Sequence, residues 1–219
     1  MHTEPLGNGR FVFTDETCTF GTDAVLLSEF ALAHTAHRVC DLGTGCGILP
    51  LLWHTKPNAP AVDAVELSAH AAALAHASVE QNGLSSHITV VEQDWCALTL
   101  PPDSYDLVTC NPPYFAAGSG KVCADPDRRL ARHETATTLH DITVAASRLL
   151  KSSGRFCLCH RPERMAEVLR TLSNSGLAPS RLQLVQTRSD TAPFLLLCEA
   201  VKNGRNRLNV LPTHILESR

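Results

Sequence analysis

Four consecutive residues, Asn111-Pro112-Pro113-Tyr114, carry the groups needed to hold an amine. The Asn111 side-chain oxygen and the Pro112 carbonyl are two hydrogen-bond acceptors at a fixed spacing, and the two prolines stiffen the loop that bears them. Tyr114 offers a flat face on which a planar base or amide can stack. An amine conjugated to an aromatic ring is a poor nucleophile because its lone pair is delocalised. Two acceptors that take its N–H bonds can hold the nitrogen more pyramidal and aim the lone pair at an electrophile. Such alignment is worth ~7–11 kcal/mol in well-oriented systems, and charge complementarity at the nitrogen adds to it. No strong general base is required, since the proton becomes acidic only as the new bond forms.

A second constellation lies upstream. Val39-Cys40-Asp41-Leu42 reads as an apolar strand ending near an acid, and Gly43, Gly45 and Gly47 follow at alternate positions before an apolar helical stretch. Glycines allow positive φ and close approach of a ligand to the backbone. The next helix offers unpaired N–H groups and the positive end of its dipole. Asp41 is a candidate acceptor for a ligand amine or hydroxyl. The run is G-x-G-x-G, not the G-x-G-x-x-G of a dinucleotide site, which disfavours a dehydrogenase. Glu66 ends a second strand about twenty residues past the glycines, where an acid pairs with ribose hydroxyls in such sheets. Asp94 and Trp95 follow a third strand. Asn111 follows a fourth, so the candidates converge on the C-terminal edge, where open α/β sheets bind ligands.

The glycine run preceded by Asp41 resembles the first motif of the class I S-adenosylmethionine (SAM)-dependent methyltransferases, and N-P-P-Y resembles their amino-group branch. Two further stretches, Phe20 to Leu27 and the R-x-x-A-R-x-E of Arg128 to Glu134, resemble the bacterial tRNA1(Val) adenine-37 N6-methyltransferase family. The resemblance implies a Rossmann-like α/β fold with a mostly parallel seven-stranded sheet and helices on both faces. It implies SAM as cofactor, held by Thr22, Asp23, Asp41, Gly43, Gly45, Gly47, Glu66, Asp94, Trp95 and Asn111. Catalysis falls to Asn111, Pro112, Pro113 and Tyr114, and substrate contact to Tyr114, Phe115, Arg128 and Arg132. The implied reaction is methylation of adenine N6 beside the anticodon of a valine tRNA, where an unstacked loop base can enter a pocket. Glutamine-amide methyltransferases of proteins share N-P-P-Y and are a second reading, although they typically bear an N-terminal helical domain. DNA or rRNA amino-methylation and a non-catalytic RNA-binding relative are further alternatives; the last would need a broken acceptor site, and Asn111 to Tyr114 is intact.

The 219 residues, 44% hydrophobic and 19% charged, fit one globular domain. Residues 1–37 read as a cover segment of the cofactor pocket and 38–219 as the methyltransferase domain. No apolar run reaches the length of a membrane span, and Met1 to Arg10 lacks a signal peptide's apolar centre, so a cytoplasmic location is expected. Nine cysteines, with no C-x-x-C, read as buried reduced thiols, and the scattered histidines suggest no metal site. From Arg128 to Arg219 fifteen Lys/Arg face seven Asp/Glu, against four and fifteen before it. This asymmetry makes the C-terminal part a candidate tRNA-binding surface, with ordinary solvated helix faces as the bland alternative.

The elements that position these residues follow from periodicity and punctuation. Strands are expected over 38–42, 61–66, 88–92, 105–110, 156–160, 182–186 and 194–200. A helix capped by Thr22 or Asp23 runs toward His34. Another starts after Ser68 and stops at Gly83. Amphipathic helices follow from Leu139 and from Pro162 to Gly176. Phe11 to Phe13 suggests a short hairpin, and residues 202–219 a tail strand. Residues 115–136 are too long and aperiodic for a plain connector and read as a substrate loop.

Overall fold

The computed structural model describes residues 1–32, 34–112, 138–205 and 207–216. Among them a hairpin, β1 (His2–Gly7) and β2 (Arg10–Thr14), precedes α1 (Thr22–Ala31). There follow β3 (Arg38–Leu42), α2 (Ile48–Trp53), β4 (Ala61–Glu66), α3 (Ala69–Gln81), β5 (Ile88–Glu92) and β6 (Tyr105–Cys110). After the undescribed stretch come α4 (Leu139–Leu149), β7 (Leu150–His160), α5 (Met165–Asn174), β8 (Leu177–Gln186), β9 (Leu195–Lys202), β10 (Asn209–Val210) and β11 (His214–Ile215).

Seven strands form the body of one sheet in the order β8-β9-β7-β6-β3-β4-β5; β10 and β11 each pair with β8, making nine in all. The pairs β7–β9 and β8–β9 are antiparallel and the other pairs of this sheet are parallel. Parallel strands covered on both faces read as continuous apolar runs, and β3 and β6 are buried along most of their length. On one face α1, α2 and α3 close a core containing Leu27, Leu51, Leu107 and Cys159. On the other, α4 and α5 close a core containing Leu42, Cys110, Ile142 and Leu158. The chain therefore has the mostly parallel, two-sided α/β architecture that the resemblance implied.

Order among the parallel strands brings two distant segments together. β6 lies beside β3, with Leu42 opposite Cys110, so Gly43 and Asn111 leave neighbouring strands at one edge. Residues 1–37 contribute Val12, Ala24, Leu27 and Phe30 to the first core. The hairpin docks on α3: the Phe13 amide donates to Ser78 Oγ at 2.9 Å and the Asn82 amide nitrogen donates to the Phe11 carbonyl at 2.7 Å.

Some boundaries differ from expectation. The N-cap of α1 is Gly21, not Thr22 or Asp23, and no side chain caps it. Asp23 Oδ1 accepts instead from the Ala24 amide at 2.9 Å, and a Cβ on residue 21 would stand 2.7 Å from that carboxylate oxygen. The cap of α3 is Ser68, as expected. β7 begins at Leu150, because Leu150 pairs with Tyr105 ahead of a register shift that the polar residues 151–153 span. β8 begins at Leu177, with Pro179 at a bulge where a missing N–H is tolerated. The tail makes two short strands rather than one. No helix among the described residues is long and apolar enough to cross a membrane.

Candidate active site

The loop after β3 is built from three left-handed glycines: φ is 71° at Gly43, 58° at Gly45 and 84° at Gly47. A side chain at any of them would be strained. The amides of Gly43 and Thr44 both donate to the Val65 carbonyl at 2.9 Å, which pins the loop to the end of β4. Gly45 N–H donates to Glu66 Oε2 at 2.8 Å, and the Leu67 and Ser68 amides donate to Glu66 Oε1 at 2.9 Å each. Glu66 is thus a brace of the glycine loop. An ionised carboxylate has about four acceptor positions, so three backbone bonds leave it one for a ligand hydroxyl.

Asp41 is 1% exposed at the end of β3, where Thr109 of β6 donates to its Oδ1 at 2.6 Å. Its Oδ2 and the hydroxyl of Thr44 are buried without a hydrogen-bond partner among the described residues. Burial pushes the Asp41 carboxyl up to about 7, against the pull of the Thr109 hydroxyl, and the negative charge of Glu66 adds to the rise. Buried polar atoms ordinarily have partners. A buried carboxylate oxygen beside a buried hydroxyl, at the mouth of a glycine loop, suits a ligand that brings a cation or a donor.

The ring of Trp95 lies against the bare face of Gly43, where a Cβ would stand 2.9 Å from the nearest ring atom. Trp95 opens a short 3-10 turn that follows Asp94, and the Gln93 amide donates to the Glu66 carbonyl at 3.0 Å, so the ends of β4 and β5 are tied together. Asp94 itself is exposed. Thr22 and Asp23 occupy the first turn of α1, which packs on α2 and is tied to it by the Trp53 indole donating to the Ser28 carbonyl at 3.1 Å. Asn111 leaves β6 with its side chain half-buried, and Cys159 of β7 donates its thiol to Asn111 Oδ1 at 3.0 Å. Pro112 is buried. Pro113, Tyr114, Phe115, Arg128 and Arg132 lie outside the described residues.

The structure therefore brings Asp41, the three glycines, Glu66, Trp95 and Asn111 to one rim. Four contributors carried no sequence signal: Thr44, Thr109, Cys159 and Cys18. Cys18 reaches the loop from the stretch between β2 and α1, its Sγ 3.9 Å from a Cβ placed on Gly45. Asp15, three residues earlier, pairs with His70 of α3 at 2.7 Å and holds that segment against the sheet edge.

The basic excess of the C-terminal part is less of a surface than its composition suggests. Lys151, Arg164, Arg181, Arg188 and Lys202 are each paired with an acid. Arg181 is nearly buried, bound to Glu199 and stacked on Phe30. Arg161, Arg170, Arg205 and Arg207 are exposed. Among the described residues no group of three or more His, Cys, Asp or Glu could hold a metal ion.

The methyltransferase small domain family matches residues 7–175. The chain belongs to that family. The methyltransferase is 36% identical over 154 residues to a tRNA1(Val) (adenine(37)-N6)-methyltransferase of Aeromonas hydrophila, covering 70% of this chain but 63% of the relative. It thus spans less than two thirds of that relative's length. It is 34% identical over 192 residues to the protein of the same name in Bacteroides thetaiotaomicron, covering 86% of this chain and 79% of that one. Among solved structures it is similar to a predicted O-methyltransferase from Agrobacterium tumefaciens, with a TM-score of 0.70 at 25% identity over 88% of this chain and 86% of that one. The fold is that of the class I methyltransferases. The residues fit the cofactor: Asp41 Oδ2 and the Thr44 hydroxyl stand ready for its polar end, and the glycine backbone leaves it room.

Proposed function

We propose that the protein methylates the exocyclic N6 amine of adenine in tRNA, at the position beside the anticodon of a valine tRNA. The observation that carries this reading is the register of β3 and β6, which sets Asn111 beside the glycine loop. SAM, when bound, supplies an electrophilic sulfonium methyl. Asp41 and Thr44 receive its amino-acid part, Glu66 a ribose hydroxyl, and Trp95 with Asp94 flank its adenine. Thr22 and Asp23, in the cover of residues 1–37, close the pocket over them. Asn111 Oδ1 and the Pro112 carbonyl accept the two N–H bonds of the target amine and orient its lone pair. Tyr114 and Phe115 stack on the target base. Arg128 and Arg132, with exposed arginines of the C-terminal part, contact the phosphate backbone of tRNA. Work on tRNA implies a cytoplasmic location.

The test is transfer of labelled methyl into total RNA and, in parallel, into total protein, followed by mass mapping of the modified nucleoside. Label in N6-methyladenosine of valine tRNA is expected. Label in glutamine side chains of protein would replace the substrate assignment with amide methylation at the same acceptors. Asn111→Ala should abolish transfer while SAM binding stays near wild type; unchanged turnover would refute the mechanism. Arg128→Glu with Arg132→Glu should weaken tRNA binding and flatten its salt dependence.

A further inference from the structure

We infer that Cys159 is a positioning residue that sets which end of the Asn111 carboxamide faces the target amine, an inference that rests on the proposed role of Asn111. β7 lies beside β6, with Leu158 opposite Cys110, so Cys159 and Asn111 are the next residues along two neighbouring strands. Cys159 is fully buried, and its Sγ stands 3.0 Å from Asn111 Oδ1. It belongs to the hydrophobic cluster that also holds Leu107, Leu195 and Leu197. A thiol in such surroundings behaves mainly as a small hydrophobe, so a polar contact to a site residue is a specific feature of this position.

The chemistry needs this control. The terminal torsion of an asparagine is broad and two-fold, and its oxygen and nitrogen occupy nearly the same volume. Only the oxygen can accept an N–H bond from the target; the amide nitrogen would present donor to donor. A thiol is a weak donor and a weak acceptor. Facing it, the oxygen gains a hydrogen bond, while a turned amide would offer its N–H to a sulfur that accepts poorly. The donor therefore selects the orientation in which Oδ1 sits at the β7 side. A carboxamide oxygen has two lone pairs, so one thiol donor occupies a single acceptor position. Because the bond is weak, little acceptor strength is withdrawn from it.

The effect belongs in the chemical step and not in binding of either substrate. It is tested with two matched pairs, Cys159→Ser against Cys159→Ala and Cys159→Thr against Cys159→Val, with Asn111→Ala alongside. Within each pair the first variant restores a donor and the second lacks one. Expected is a three- to tenfold lower kcat for Ala and Val than for Ser and Thr, with KM for RNA, Kd for SAM and Tm matched within each pair. If one pair fails to fold, the other decides. Equal kcat within a folded pair, while Asn111→Ala is inactive, overturns the role of Cys159 alone. Full activity of Asn111→Ala overturns the underlying role of Asn111 instead.

Discussion

Replacing Asp41 by Asn removes a charge that the fold holds at a cost, and its pH signature can be worked out in advance. The buried carboxyl titrates at about 7, against 3.8 in an unconstrained chain. A raised pKa means that the folded protein keeps a proton which the unfolded chain gives up. The contribution is neutral below pH 3.8 and turns against folding as pH rises, until it levels off above about 7. Three units correspond to roughly 4 kcal/mol in all, of which roughly 3 kcal/mol falls between pH 5 and pH 8. Asn at this position keeps an oxygen for the Thr109 hydroxyl and has no such dependence. A buried histidine, His160, runs the other way, since burial and then the nearby Arg164 press it down to about 4. It contributes equally to both proteins and cancels in their difference. Urea unfolding of the unliganded proteins at pH 5, 6, 7 and 8 should therefore show Asp41→Asn gaining on wild type by roughly 3 kcal/mol across the series. Calorimetry should show wild-type SAM affinity rising up to about tenfold per pH unit below 7, as binding of a cation expels the proton. The variant should bind weakly at every pH. Parallel stability curves for the two proteins would show that Asp41 is already ionised in the unliganded fold, and the reasoning would fail.

Gly43→Ala forces a Cβ into the left-handed region and against the ring of Trp95. The backbone strain alone is about 1–2 kcal/mol, and a tenfold or larger loss of SAM affinity, read from Trp95 fluorescence in a Trp53→Phe background, is expected. Thr138 and Asp141 form a reciprocal capping box at the start of α4. Thr138→Ala should cost about 1 kcal/mol, a drop of about 2–4 °C in Tm, with no change in SAM affinity. Glu199 is 5% exposed at its side chain and pairs with Arg181 at 3.0 Å. Glu199→Ala leaves a nearly buried guanidinium without its acid, and denaturant unfolding should report a loss of roughly 3 kcal/mol.

The sequence was most legible where strands are central and parallel. β3, β4 and β6 lie where their apolar runs place them, because a strand buried on both faces has few ways to be written. Legibility failed at edges and bulges. Residues 151–153 are exposed and show no alternation, yet they extend β7 through a register shift that brings Gly154 within 3.0 Å of the Tyr105 carbonyl for any added Cβ. The site divided in the same way. Asp41, Glu66 and Asn111 follow strands and could be read from their positions. Thr109 and Cys159 could not, because each acts across a strand boundary on a residue more than forty positions away. Pairwise contact of that kind leaves no local pattern. The charge asymmetry was real in composition, but several of its cations are paired with acids, and Arg181 and Lys202 are largely covered.

The two short strands β10 and β11 run side by side with the outermost strand of the sheet, at Arg181–Leu182 and at Val185–Gln186. Without them β8 would present a row of open amides and carbonyls, a template on which another chain can zip. Trimming the polypeptide after Gly204 is therefore predicted to leave the candidate active-site rim intact but make the protein sticky, lowering its solubility on storage before its activity.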